Sequence, residues 1–303
     1  MIHLGGAVLR SSAMLLAAAT VAFDRPIDAA TLKVMSFNIR GDFDLEVATN
    51  SSEAWNSLSE NHRRDLVIRS ISNFNPDVLG VQEAFRNQLV DLEKGLPGYE
   101  FSGVGRDDGK KAGEHCAIFY RADRFRCANE GTFWLSNSPG KPGSVFPGAA
   151  CVRIASWVIL ADNRSGGKEF LVLNTHWDHV CAPARQHAAI LIQRQIKTLA
   201  GGRPILVMGD MNDSEDSLSL KAMLGTEAEG LPLHDSFREV IPQRGKDEAT
   251  YHGFSGKPAG SRIDFILLTR DFKAIDAAIL HMNFDGRYAS DHFPVTAVLE
   301  LIE

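Results

Sequence analysis

Pro204-Ile205-Leu206-Val207-Met208-Gly209-Asp210-Met211-Asn212 runs from an unbroken apolar stretch straight into a glycine and two oxygen-bearing side chains. A short continuous apolar run ending at turn residues reads as a strand covered on both faces, because a half-exposed strand would alternate. Residues 263–268 read the same way, with one charged exception, Asp264. Further strands are expected at 32–37, 78–81, 115–120, 132–135, 154–160, 170–174 and 295–301. Helices are expected over 60–74, where Val67, Ile68, Ile71 and Phe74 share a face, and over 184–199, where Ala188, Leu191, Ile192, Ile196 and Leu199 do. A shorter helix follows Glu83, and Asn75-Pro76 stops the first one because the residue before proline disfavours helix. Strands outnumber helices, which implies sheets packed face to face with helices outside. Residues 213–260 are loop-rich and unassigned.

The bulk numbers bound the function. The chain has 303 residues, 44% hydrophobic and 23% charged, and a net charge of -6. That balance offers no broad basic field for a polyanion, although a local basic cluster would be enough for a nuclease. Residues 1–30 read as a signal peptide: Arg10, an apolar stretch over 13–23, then Ala29-Ala30. The expected organisation is therefore a leader, 1–30, and one domain, 31–303. Such a protein is secreted or periplasmic, or cytoplasmic if the segment is not a signal. Cys116, Cys127, Cys151 and Cys181 allow three disulfide pairings, and the sequence does not choose among them. No membrane span is expected in the mature chain, no stable protein partner is implied, and a monomer is expected.

Polar clusters end many of these apolar runs, and they share a chemistry. Glu83, Asp210 and Asp291 are anionic oxygen donors; Asn38 and Asn212 are neutral ones. That mixture suits Mg2+, with Mn2+ or Ca2+ as alternatives, and suits zinc poorly. His176 and His292 supply groups that titrate near neutrality, provided a carboxylate fixes each ring. Asp264 and Glu114 are the candidate orienting acids, and a buried Asp264 needs a partner of this kind. His62, His234 and His281 read as surface or packing residues. Such a set hydrolyses phosphoesters: a cation neutralises phosphate charge while an Asp-His pair activates water. Asn174, Asn212 and a histidine are candidate holders of non-bridging oxygens, with Arg40 and Arg153 adding charge-assisted bonds.

The motifs, in order, resemble the endonuclease/exonuclease/phosphatase superfamily. They are Met35-Ser36-Phe37-Asn38-Ile39-Arg40, Val78-Leu79-Gly80-Val81-Gln82-Glu83-Ala84 and Asn174-Thr175-His176. Val207-Met208-Gly209-Asp210-Met211-Asn212, Ser261-Arg262-Ile263-Asp264 and Ser290-Asp291-His292-Phe293-Pro294 complete the series. The resemblance implies a four-layered α/β sandwich, two packed mixed sheets flanked by helices, with its site at one edge. It makes Glu83 the main metal ligand, with Asn38 and Asp291 nearby. Asp210 and Asn212 handle the attacking water and the phosphate, or a second metal. Asp264 and His292 form the acid-histidine dyad, His176 stabilises the phosphate or protonates the leaving group, and Glu114 orients His176. The chain is also similar to a bacterial subgroup through Gly105-Arg106-Asp107-Asp108-Gly109 and Phe133-Trp134-Leu135-Ser136. Trp177 replaces a more usual Leu and is expected to line the substrate pocket.

Substrates rank as nucleic acid or another phosphodiester first, small sugar or inositol phosphates second, and lipid headgroups third. The basic groove for the first would come from Arg106, Lys110, Lys111 and Lys141. Phe133, Trp134 and Phe146 are candidate exposed aromatics for the third, but core packing explains them as well. A non-catalytic binding module of the same fold is disfavoured because every expected catalytic position is filled.

Overall fold

The computed structural model describes residues 31–43, 54–56, 62–225 and 230–302. The expected leader lies outside them. The first half of the described chain forms β1 (Thr31–Asn38), α1 (Arg63–Phe74), β2 (Val78–Ala84), α2 (Arg86–Gly95), β3 (Tyr99–Ser102), β4 (His115–Arg121), β5 (Phe125–Trp134) and β6 (Ile154–Asp162). The second half forms β7 (Lys168–His176), α3 (Ala182–Ala200), β8 (Ile205–Asp210), α4 (Leu218–Met223), β9 (His234–Asp235), α5 (Ser236–Val240), β10 (Asp264–Leu268), β11 (Phe272–Ile279) and β12 (Val295–Leu301).

These strands build two six-stranded sheets, ordered β11-β12-β1-β2-β4-β3 and β5-β6-β7-β8-β10-β9. The two sheets share a pairing scheme. In each, one parallel pair, β1 with β2 or β7 with β8, is flanked by antiparallel neighbours. The period-2 alternation of side chains then sorts the core into layers. Leu206 and Met208 face Val34, Val78 and Ile118 of the other sheet. Ile205 and Val207, one residue out of phase, face Ala188, Ile192 and Ile196 of α3. Likewise Met35 and Phe37 turn away from the inter-sheet core to meet Val67 and Ile71 of α1 and Leu89 and Leu92 of α2. Helix, sheet, sheet, helix is the expected four-layered sandwich, and the apolar run at β8 is covered on both faces.

At one end of the sandwich the inter-sheet layer turns polar. Gln82 Nε2 donates to Ser36 Oγ and to Asn174 Oδ1, at 3.2 and 2.7 Å. Asn174 Nδ2 reaches across to the Val81 and Ala117 carbonyls, each at 2.9 Å. Gly80 lets the sheets close here, since a Cβ on it would stand 2.8 Å from Met208 Sδ and 2.9 Å from Asn174 Cγ. All four cysteines are free thiols. Cys116 is an inert buried one, its thiol pushed up to about 12, chiefly by burial. Phe133 and Trp134, candidates for a lipid-facing loop, take the alternative reading and are buried in the core, and Phe146 packs against His187 with ring centroids 4.6 Å apart. Among the described residues, no helix is long and apolar enough to cross a membrane.

Candidate active site

The register of the strands places the site. His176 of β7 pairs with Asp210 of β8, and Asp210 pairs with Asp264 of β10. Three neighbouring strand ends thus set three functional groups in one row across the second sheet. In the first sheet Asn38 ends β1 beside Gln82 of β2, and Glu83 follows at a break in the β2–β4 register. Asp291 and His292 lie just before β12, which pairs with β1. Glu83, Arg40 and Asn212 all adopt left-handed backbone, with φ of 63°, 57° and 46°. Non-glycine residues are rarely held so, and such conformations gather where side chains must be aimed.

The dyad is formed. Asp264 Oδ2 lies 2.9 Å from His292 Nδ1, so the carboxylate holds that nitrogen's proton and turns Nε2 toward the cavity. Asp210 Oδ2 is the meeting point: it lies 3.7 Å from His292 Nε2, 3.4 Å from His176 Nε2 and 3.0 Å from Asn38 Nδ2. Burial and the neighbouring Asp264 push the Asp210 carboxyl up. Burial works against a charged His292, but Asp264, Asp210 and Asp291 outweigh it and hold its pKa above the ordinary histidine value. His176 goes the other way, held neutral by burial and by the positive charge of Arg153 and His292. The two histidines therefore differ in charge, as an acid and a neutral partner should.

Glu83 and Asp291 face one another across Arg40, whose guanidinium stands 3.6 Å from one and 3.7 Å from the other. Burial opposes a charged Glu83. Asn38, the Gly41 amide and Arg40 more than compensate, holding its carboxyl below the usual carboxylate range. The carboxylates of Glu83 and Asp291 around Arg40, with Asp210 joined to Glu83 through Asn38, form a hard-oxygen set that fits Mg2+ or Mn2+. Asp210, Asp264 and His292 also have ligand atoms within 4.8 Å of one another. There, however, His292 Nδ1 is already committed to Asp264.

Four residues sit otherwise than expected. Asn38 was read as a metal ligand, but its amide nitrogen donates to Glu83 and Asp210 at 3.0 Å each and its oxygen accepts from the Arg40 amide. Its amide thus ties the two carboxylates together. Asn174 was read as a phosphate holder, but it is fully buried in the bridge between the sheets. Trp177, read as pocket lining, is fully buried in the core beside α3; only its backbone serves the site, with Trp177 O accepting from Asn212 Nδ2. Glu114 is near His176 but 4.0 Å from Nδ1, because Arg106 claims the same carboxylate oxygen at 2.6 Å.

Other parts went unread in the sequence. A cavity of about 750 Å³ opens over Glu83, His176, Asp210, Asn212, Asp291 and His292. Its rim adds Phe43, Tyr251, Cys151 and His179. Buried Arg63 donates to the Ile39 and Arg40 carbonyls, and Gln88 Nε2 also bonds the Arg40 carbonyl, so the loop carrying Arg40 is clamped from both sides. Arg63 stands four residues before Val67 on the buried face of α1. A charge in the apolar register of a helix is a signal that could have found it.

Two mixed sheets gathering acids and two histidines at one edge define a layered α/β phosphoesterase. The profile of the Endonuclease/Exonuclease/phosphatase family matches residues 35–292, and the chain belongs to that family. An endonuclease/exonuclease/phosphatase structure from Bacteroides vulgatus is 36% identical, with a TM-score of 0.80, covering 89% of this chain and 99% of that one. The Bacteroides thetaiotaomicron mannosyl-6-phosphatase Bt3783 is 34% identical, with a TM-score of 0.79, covering 88% and 99%. Drosophila melanogaster Nocturnin is 23% identical over 284 residues, 81% of this chain and 43% of that protein. The present chain thus spans less than half the length of that curated relative.

Proposed function

We propose that this protein is a divalent-metal-dependent phosphomonoesterase acting on small phosphorylated molecules of the sugar-phosphate class. The observation that carries the chemistry is the Asp264–His292 pair at 2.9 Å facing Asp210 beside the Glu83–Asp291 acids. The residues divide the work. Asp264 fixes the His292 ring, so that Nε2 can exchange a proton with a water on the cavity side of the His292–Asp210 pair. Neutral His176, on the other side of Asp210, is placed to hold a phosphate oxygen, with Asn212 beside it. Glu83, Asp210 and Asp291 would hold the cation. When bound, Mg2+ there would neutralise phosphate oxygens and offset the acids that keep His292 protonated.

A small substrate is favoured over the nucleic acid that the sequence ranked first. The cavity is of ordinary small-ligand size, and its positive charge is local, from Arg40, Arg106 and Arg153. The expected groove lysines Lys110, Lys111 and Lys141 are exposed and do not line it. The 34% identity to a mannosyl-6-phosphatase over nearly its whole length supports the same choice. Export belongs to the same proposal and rests on the composition of residues 1–30; N-terminal sequencing of the mature protein tests it. The substrate test is a panel with and without Mg2+: mannose 6-phosphate and other sugar phosphates, inositol phosphates, plasmid DNA, RNA and sphingomyelin. Phosphate release from the sugar monoesters is expected to dominate; faster cleavage of DNA or RNA would overturn the substrate assignment.

A further inference from the structure

Beside His176, the cavity lining includes two guanidiniums, Arg106 and Arg153, gathered around the buried Glu114 carboxylate. They are carried by the loop 103–114 and by the chain entering β6. The loop is rigid: Gly105 N donates to Lys110 O, Asp107 N to Ala112 O, and Arg106 N to Glu114 O. Asp108 Oδ1 caps it from within by accepting from the Lys110 and Ala112 amides. A Cβ on Gly105 would stand 2.2 Å from the Ala112 carbonyl oxygen, so the loop closes only around glycine. It delivers Arg106 and Glu114 to the cavity as a fixed pair.

Arg153, the residue just before β6, approaches the same carboxylate. It is 7% exposed, and its Nη1 is 4.0 Å from Glu114 Oε2, beyond hydrogen-bond reach. Its Nη2 donates to His179 Nδ1 at 3.0 Å, which aims the guanidinium without neutralising it. Nε of Arg153 and Nε of Arg106 are both buried without a hydrogen-bond partner among the described residues. His176 Nδ1, also 4.0 Å from Glu114 Oε2, is a third such atom. Two guanidiniums therefore share the buried Glu114 carboxylate; Arg106 has Asp107 at 3.9 Å as well, and Arg153 makes no hydrogen bond to a carboxylate among the described residues. A buried charge left this way is costly unless a ligand completes it.

We infer that Arg153, aimed by His179 and seconded by Arg106, reads the extra charge and third free oxygen of a terminal phosphate, and so selects monoesters over diesters. A phosphomonoester carries a charge approaching -2 at neutral pH and three terminal oxygens; a diester carries one charge and two. The planar guanidinium suits such a group because it offers paired donors to adjacent oxygens. The inference rests on the phosphomonoesterase reading and deepens it.

The test compares the wild type with Arg153→Gln and Arg153→Lys. It reads kcat/KM for 4-nitrophenyl phosphate and bis(4-nitrophenyl) phosphate in Mg2+, and the Kd of inorganic phosphate by calorimetry. Arg153→Gln is expected to lower the monoester-to-diester ratio by at least about tenfold and to weaken phosphate by a similar factor, with Arg153→Lys between. Equal losses on both esters, or an unchanged phosphate Kd, would overturn the inference. If the wild type itself prefers the diester, the phosphomonoesterase reading fails. A phosphate Kd still moved by Arg153→Gln would then assign Arg153 to phosphate binding without selection. Thermal melts check folding, and if Arg153→Gln does not fold, Arg106→Gln carries the same comparison.

Discussion

At the scale of single residues, the gathering of the site was legible and its scaffolding was not. Glu83, His176, Asp210, Asn212, Asp264, Asp291 and His292 converge on one hollow, as their shared position at strand ends implied. Asn174 stands in the same kind of motif and does something else. Its side chain points between the sheets, where its amide bonds two carbonyls and accepts from Gln82. Sequence alone does not say which side of a strand end faces solvent, and a one-residue change of phase reverses it. The two roles separate experimentally. Asn174→Ala leaves buried carbonyls unpaired and is expected to cost about 2–4 kcal/mol in urea unfolding. KM of the folded fraction should stay close to wild type; a large rise in KM with unchanged stability would restore Asn174 to the binding site.

At the scale of elements, the central strands were read and the edges were missed. Strands β1, β2, β7, β8 and β12 are covered on both faces and announce themselves as apolar runs. Strands β3, β9 and β11 lie at or toward sheet edges, where partial exposure admits Glu100, His234 and Asp276 and hides the pattern. Strand β5, expected only from 132, begins at Phe125 because Arg126, Asn129 and Glu130 are solvent-facing.

The stretch leading to β10, unassigned in the sequence, supports the dyad. Thr250 Oγ1 accepts from the Asp264 amide, and His252 and Gly253 amides both donate to the Asp291 carbonyl. His252 stacks on Phe293 at 3.9 Å. Burial first, then the charge of His292, pushes its pKa down to about 4. An unfolded histidine titrates near about 6.5, so between these values the unfolded chain binds the proton and the folded chain does not. His252 thus contributes stability above pH ~6.5 that is lost as pH falls toward ~4. His252→Phe should therefore melt progressively higher relative to wild type as pH drops through that window. A constant difference in Tm from pH 7 to 4 would refute this role.

At the scale of the molecule, the two sheets do one thing together that neither does alone. The first supplies Glu83 and Asp291; the second supplies His176, Asp210 and Asp264; and His292, from the first, closes the dyad with the second. The Gln82–Asn174 bridge holds the two edges in register. The proposed hydrolase, built across a seam in this way, would draw on both halves and on a cation between them. The decisive measurement is phosphate release from a sugar monoester by the purified protein, titrated with Mg2+ and then with excess chelator. Turnover should saturate with Mg2+ and vanish in chelator. Glu83→Ala should shift the Mg2+ requirement upward, and His292→Ala should lower kcat by about 10²–10⁴-fold with the fold intact. Full turnover in excess chelator, or an unimpaired His292→Ala variant, would contradict a cation-assisted dyad at this seam.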